Sequence, residues 1–164
     1  MLKKNEIGPQ TYRDAMARFA GAVHIATTDG PAGKRGATVI AACSVSDTPP
    51  TVLVCLNREN VNNDCFRVNG AFALNALAAG HEELANAFSG LTGLAPDDRF
   101  ALGRWETLAT GAPTLVDAVA VFDCEVIDTK DLATHRVYFG RVAGLRVGAN
   151  LRPLVYHDRG YRVL

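Results

Sequence analysis

The residues best suited to hold a ligand fall in one stretch, Thr38 to Pro50, TVIAACSVSDTPP, which runs at once into the apolar segment TVLVCLN ending at Asn57. It reads as a buried strand, a small-residue turn and a diproline that reverses the chain into a second strand. Proline supplies no amide hydrogen and holds the residue before it extended. Alanine, cysteine and serine leave room beside the backbone while presenting amide donors and one hydroxyl, Ser44. Such a segment suits a wall against which a flat ligand lies. Further chemistry is offered by His135, between Thr134 and the strand RVYFGRV, and by Tyr156, His157, Arg159, Tyr161 and Arg162 near the C-terminus. Aromatic faces and guanidinium groups there could stack on and pair with a nucleotide.

Each of these has a plainer reading. Ser44 lacks the GxSxG setting of an activated nucleophile and reads as a turn serine bonding its own backbone. A histidine at a strand mouth is commonly just solvated, and exposed edge strands carry aromatic and basic residues anyway. Gly30 to Thr38 has glycines, Lys34 and Arg35, but not the GxxxxGK[ST] spacing, and it leads into no helix; it reads as a solvated hairpin. No GxGxxG supports a Rossmann site. Asp14 and Arg18 stand four apart on a helix, the spacing of a surface ion pair. The cysteines (Cys43, Cys55, Cys65, Cys124) form no CxxC, and the four histidines show no HExxH, so no metal site is expected. Cys55 and Cys124 lie in apolar strands as small hydrophobes.

The elements that position these residues follow from local pattern. Tyr12, Ala15, Met16 and Phe19 have helical spacing, predicting a helix from Gln10 to Ala20 that Gly21 ends. Alternation predicts a strand through Val23 to Thr28, a glycine-rich loop at 29–36, a second strand from Ala37 to Val45 and a third from Thr51 to Leu56. A short helix over Val61–Asn69, a strand at Ala71–Leu77 and an amphipathic helix at His81–Ser89 come next. Residues 90–100 read as a loop. Leu115–Ile127 reads as one long, bent strand, and Thr134–Val147 as another with Val137, Phe139, Val142 and Leu145 as its apolar members. Pro153–Tyr156 and Tyr161–Leu164 close the chain as a hairpin around Asp158-Arg159-Gly160. Many strands, three short helices and no βαβ alternation indicate a mainly β chain, a barrel with helical decorations.

Composition bounds the rest. The 164 residues are 48% hydrophobic and 21% charged, as in soluble globular chains. No linker or repeat divides residues 1–164, which read as one domain. Seventeen basic residues balance seventeen acidic ones, which argues against a nucleic-acid partner. No apolar run approaches the roughly 18 residues of a membrane span, and MLKKNEIGPQ has no apolar stretch of a secretory signal. The simplest compartment is the cytoplasm.

Several segments, in order, are similar to the short-chain NAD(P)H:flavin oxidoreductases: YRDAMARFAGAVHIATTDGPAG, AACSVSDTPPTVLVCLN, NGAFALNAL, AFSGLTGLAPDDRF, Thr134-His135 ahead of VYFGRV, and PLVYHDRGY. The chain most resembles the reductase components of 4-hydroxyphenylacetate hydroxylases and the flavin-dependent corrinoid reductases. The resemblance implies a Greek-key split β-barrel, the FMN-binding split barrel, with a few short peripheral helices, acting as a homodimer. It implies FMN, or FAD, as flavin, NADH or NADPH as hydride donor, and a partner flavin-dependent monooxygenase that receives the reduced flavin. By the same resemblance Thr38, Ala42, Cys43 and Ser44 line the flavin ring and ribityl chain. Leu56, Asn57, Arg58, Asn60 and Asn63 approach the ribityl and phosphate, and Phe88 and Ser89 border the site. His135 reaches the nicotinamide side as the catalytic residue, with Tyr156 beside it.

Three positions depart from the family pattern. Ile40 stands where relatives often carry Thr or Ser, Asn60 where Ser is frequent, and Arg162 where His is frequent. Two other readings stay open: a corrinoid reductase that keeps its flavin, and a flavin-binding module without turnover.

Overall fold

Strands with one apolar face must bury it, and here seven of them do so by curling round a shared interior. The computed structural model describes residues 7–149 and 152–164. In chain order the elements are α1 (Pro9–Met16), β1 (Gly21–Ala22), β2 (His24–Thr28), β3 (Arg35–Val39), β4 (Ala42–Asp47) and β5 (Pro50–Asn57). A 3-10 turn (Val61–Asn63) leads into α2 (Asp64–Asn69), then β6 (Ala71–Ala76), α3 (Glu82–Phe88) and α4 (Pro96–Phe100). The remainder is β7 (Trp105–Glu106), β8 (Thr114–Leu115), β9 (Ala120–Leu132), β10 (His135–Val147), β11 (Leu154–His157) and β12 (Gly160–Val163).

The main sheet is antiparallel, in the order β3-β2-β6-β9-β10-β5-β4. Its two ends, β3 and β4, are consecutive in sequence yet form no ladder with each other. They meet at the Ile40–Ala41 corner, where Cys55 N donates to Ala41 O at 2.9 Å. The barrel is therefore split at that corner, in the Greek-key split-barrel manner. Its interior is filled by Ala26, Val54, Leu56, Phe72, Leu74, Cys124 and Tyr138, with Phe66 of α2 closing one end. Full burial of each large apolar side chain contributes about 1.5–3 kcal/mol.

A second core lies on the outer face of β2, β6 and β9, beneath α3 and α4. Phe88, Phe100 and Trp105 meet there edge to face, with centroids 4.9–5.7 Å apart. Contacts of this type add about 0.5–1.5 kcal/mol each beyond area burial. A small sheet, β1-β11-β12, packs Tyr156 and Tyr161 against this core. No helix among the described residues is long and apolar enough to cross a membrane.

Several elements depart from the sequence reading, each for a long-range reason. The expected strand from Ala37 to Val45 breaks into β3 and β4, because the corner carries the chain from one barrel end to the other. The first helix stops at Met16, where i→i−3 bonds tighten the next turn and Ala17 O accepts from Asp158 N at 2.8 Å. Residues 90–100 are not all loop: Pro96, at the first turn, opens α4. Leu115–Ile127 is not one strand: Val116 N donates to Arg104 O and Ala118 N turns back to Leu115 O, so β8 ends at Leu115 and β9 begins only at Ala120. On β10 the deeply buried residue is Tyr138, 1% exposed, whereas Leu145 is 58% exposed, because bulges at 139–140 and 142–144 shift the alternation. Asp14 pairs with Arg159 across the molecule and not with Arg18.

Candidate active site

The split leaves a cleft of about 1230 Å³ running along β3, the corner and the end of β5. One wall is backbone under small side chains: Gly21, Ala22, Ala37, Thr38, Ala41 and Ala42. Ile40 and Tyr156 extend that wall. Tyr156 pairs with Gly21 across the β1–β11 ladder, and the Cγ2 of Ile40 fills the place a Gly21 side chain would take. α3 forms the opposite rim. It lies flush on β3 because Gly36 has no Cβ, which would fall 2.5 Å from the Phe88 ring, and because Thr38 Oγ1 donates to Ala85 O at 2.6 Å. Thr38 thus lines the cleft with its hydroxyl proton already committed.

At the far end of the cleft stand two cations, Arg35 and Arg99. Arg35 Nε donates to Asn63 Oδ1 at 3.1 Å, and Arg99 Nε to Leu94 O at 3.1 Å. Neither pairs with a carboxylate among the described residues. Burial, and then the neighbouring Arg99 charge, push the Arg35 pKa down. Two like charges held together in a cleft without a counter-ion are the chemistry of an anion site, and guanidinium suits phosphate through its planar fork. Asn63 ties this end together, since its Nδ2 also donates to Asn57 O at 2.9 Å.

His135 faces the cleft from β10, opposite Asn57 on β5. Its Nδ1 is 2.8 Å from Thr134 Oγ1, which leaves Nε2 as the ring's other hydrogen-bonding atom. His24 also lines the cleft. Burial pushes its pKa down to about 4, so the ring is neutral at pH 7, and its Nδ1 is buried without a partner.

Of the residues singled out from sequence, Thr38, Ala42, Leu56, Asn57, Asn60, Asn63, Phe88, Ser89, His135 and Tyr156 all line this one cleft. Cys43 and Ser44 do not; they are exposed on the edge strand β4, beyond the corner. Nor does Arg58, which borders a separate cavity of about 160 Å³ behind β5. Arg35, Arg99 and His24 were missed. Arg35 sat in a loop read as a solvated hairpin, and Arg99 in the 90–100 segment read as a loop. His24 carried one usable signal, its place in a half-buried strand.

A split barrel whose cleft joins a flat small-residue wall to two unpaired cations defines a binder of planar, phosphorylated ligands. Residues 16–164 match the flavin reductase like domain, and the chain belongs to that family. It is 49% identical to "FMN reductase (NADH) RutF" of Ancylobacter novellus over 99% of this chain and 88% of that one. A crystal structure from Haemophilus somnus 129PT assigned to the flavin reductases superposes with a TM-score of 0.91 at 37% identity, covering 96% of this chain and 100% of that one. BorF, the flavin reductase component of a bacterial two-component tryptophan halogenase, superposes with a TM-score of 0.87 at 27% identity, covering 96% and 98%.

Proposed function

We propose that this chain is an NADH-dependent FMN reductase of the cytoplasm, acting as a homodimer and passing reduced flavin to a partner flavin-dependent monooxygenase. The observation that carries the reading is the cleft itself, with its flat wall, paired unneutralised cations and a histidine at one rim. The 49% identity to a protein named an NADH-dependent FMN reductase supports it, as does the likeness to a reductase component of a two-component enzyme.

Arg35 and Arg99 hold the flavin phosphate, with Asn60 as a further donor, while Ser89, whose hydroxyl donates to Asn86 O at 2.8 Å, borders that end. The backbone from Thr38 to Ala42 and the Leu56 side chain take the ring and ribityl chain, bordered by Phe88. Cys43 and Ser44 serve through amides of the edge strand, which can donate to negative charge as it develops on the ring. Asn63 and Asn57 keep Arg35 in place. When both are bound, nicotinamide supplies a hydride from C4 and flavin accepts it at N5. The protein's contribution is to hold the two rings face to face, which removes the entropic part of the barrier. His135 Nε2 and Tyr156 orient the nicotinamide, and His135 need take no proton, because hydride transfer releases none to a base.

The deciding experiment is anaerobic stopped-flow mixing of protein, FMN and NADH. Loss of oxidised-flavin absorbance at a rate proportional to protein supports the reading; bound flavin that NADH leaves oxidised reduces the chain to a binding module. His135→Ala raises the KM for NADH while the Kd for FMN stays unchanged.

A further inference from the structure

Arg58 follows Asn57 at the end of β5, yet three of its donors reach the β9–β10 turn. Its backbone N–H donates to Thr134 O at 3.0 Å, its Nε to Ala133 O at 2.9 Å and its Nη1 to Asp131 Oδ2 at 3.0 Å. The turn it grips is a tight one: Leu132 pairs with His135, leaving Ala133 and Thr134 between them. Ala133 has φ of +50°, a left-handed conformation that an alanine adopts only when its surroundings hold it there. The Arg58 fork meets the carbonyl of that residue directly.

A second arginine holds the same turn. Arg136 holds the same Asp131 carboxylate through Nε at 2.5 Å and Nη2 at 3.1 Å, and reaches Asp64 Oδ1 with Nη1 at 2.8 Å. Asp131 is therefore shared between two arginines, Arg136 of the hairpin itself and Arg58 at the end of β5. His135 itself is exposed, and among the described residues its ring has one hydrogen-bond partner, Thr134 of this same turn. The position of the imidazole over the cleft consequently depends on the turn.

We propose that Arg58 is a positioning residue for His135: it locks the 131–134 turn so that the imidazole stays over the cleft, and it makes no contact with flavin. This rests on the reading of His135 as the group that orients the nicotinamide. An arginine is needed because one planar fork meets a carbonyl and a carboxylate together, whereas a lysine is a point donor on a flexible stem.

The test is steady-state kinetics with NADH and FMN on Arg58→Ala, Arg58→Lys, His135→Ala and the double variant Arg58→Ala/His135→Ala, beside FMN titrations of each. Losing hydrogen bonds of this kind in Arg58→Ala is expected to raise the KM for NADH about tenfold, with kcat and the FMN Kd little changed. Arg58→Lys recovers part of that loss. In the His135→Ala background, adding Arg58→Ala changes the KM by no more than about twofold, because the effect passes through the imidazole. Asp131→Ala leaves Arg58 in place but removes the carboxylate it shares with Arg136; a raised KM for NADH with an unchanged FMN Kd is expected there too, which reads the proposal even if Arg58→Ala does not fold. A weakened FMN Kd in Arg58→Ala, an unchanged KM, or equal KM increases in both backgrounds would each overturn it. An unchanged KM in His135→Ala alone removes the role of His135, and with it this proposal. A raised KM there, with none in Arg58→Ala, sinks only the role of Arg58.

Discussion

Two arginine clusters lie on either side of the end of β5, and they differ in one respect. Arg58, Arg67 and Arg136 share Asp64 and Asp131 in a closed network, with N···O distances of 2.5–3.0 Å. Hydrogen bonds from Arg67 and then Arg136 hold the Asp64 carboxyl down at about 2, and Arg136 likewise lowers Asp131. Arg35 and Arg99, across the strand, have carbonyl and amide partners and, among the described residues, no carboxylate. Charge neutralised within the chain fixes geometry; charge left without a counter-ion in a cleft awaits a ligand. The same side chain thus serves as scaffold behind β5 and as site in front of it.

The strongest challenge to this contrast is Arg35→Met. Loss of a charge-assisted phosphate contact is expected to raise the FMN Kd about 10- to 100-fold, read by quenching of flavin fluorescence. An unchanged Kd would mean that the cleft takes its anion elsewhere. Arg99→Met should follow with a smaller loss, and the wild-type affinity should fall as salt rises.

Ser89→Asp puts a carboxylate into the lining that holds Arg35 and Arg99. The cluster then resembles the paired one. FMN affinity is expected to drop about tenfold, because like charge opposes the incoming phosphate, while the melting temperature holds or rises. A fall in melting temperature with unchanged affinity would erase the distinction between the clusters.

His24 sharpens the comparison by pH, since the cleft keeps this ring neutral by burial and not by pairing. Its folded pKa, about 4, lies below its ordinary 6.5, so the unfolded chain binds the extra proton first. Stability is therefore full above pH 6.5 and falls as pH drops from 6.5 towards 4, by an upper limit of about 3 kcal/mol. The lowered carboxyls, Asp14, Asp64 and Asp131, lose their contributions only below their ordinary value of 3.8, which leaves the window to His24. Urea unfolding across this range should show the slope, and His24→Asn should flatten it.

The smallest effect is expected in the paired cluster. Asp64→Asn opens an exposed ion pair of slight net stability, so calorimetry should find little change in melting temperature and titration none in the FMN Kd.

Most of the site's residues were named through the family resemblance, and local pattern made only a part of it legible before folding. The small residues before the diproline, the amphipathic pattern at 82–88 and Thr134-His135 before an alternating strand each declare themselves within a dozen residues. Ten of the residues proposed from sequence do converge on one cleft. Arg58 was misplaced relative to the cleft for the opposite reason. Its neighbours Asn57 and Asn60 line it, and nothing in LNRENVNN reveals that the arginine turns back towards Ala133, far along the chain. Cys43 and Ser44 share a segment with Thr38 and Ala42, but the corner at 40–41 and the edge position of β4 carry their side chains past the rim.

The sequence by itself determined the mainly β character, the turns and most of the strand segments. Side-chain alternation and the backbone limits of glycine and proline act between adjacent residues. Tertiary structure alone decided where the barrel splits, which of the core-facing alternatives on β10 is buried, and which arginines find a carboxylate. Those outcomes depend on separations of a few ångströms between segments far apart in the chain, where one bulge or corner moves a charge from a partner to an open cleft.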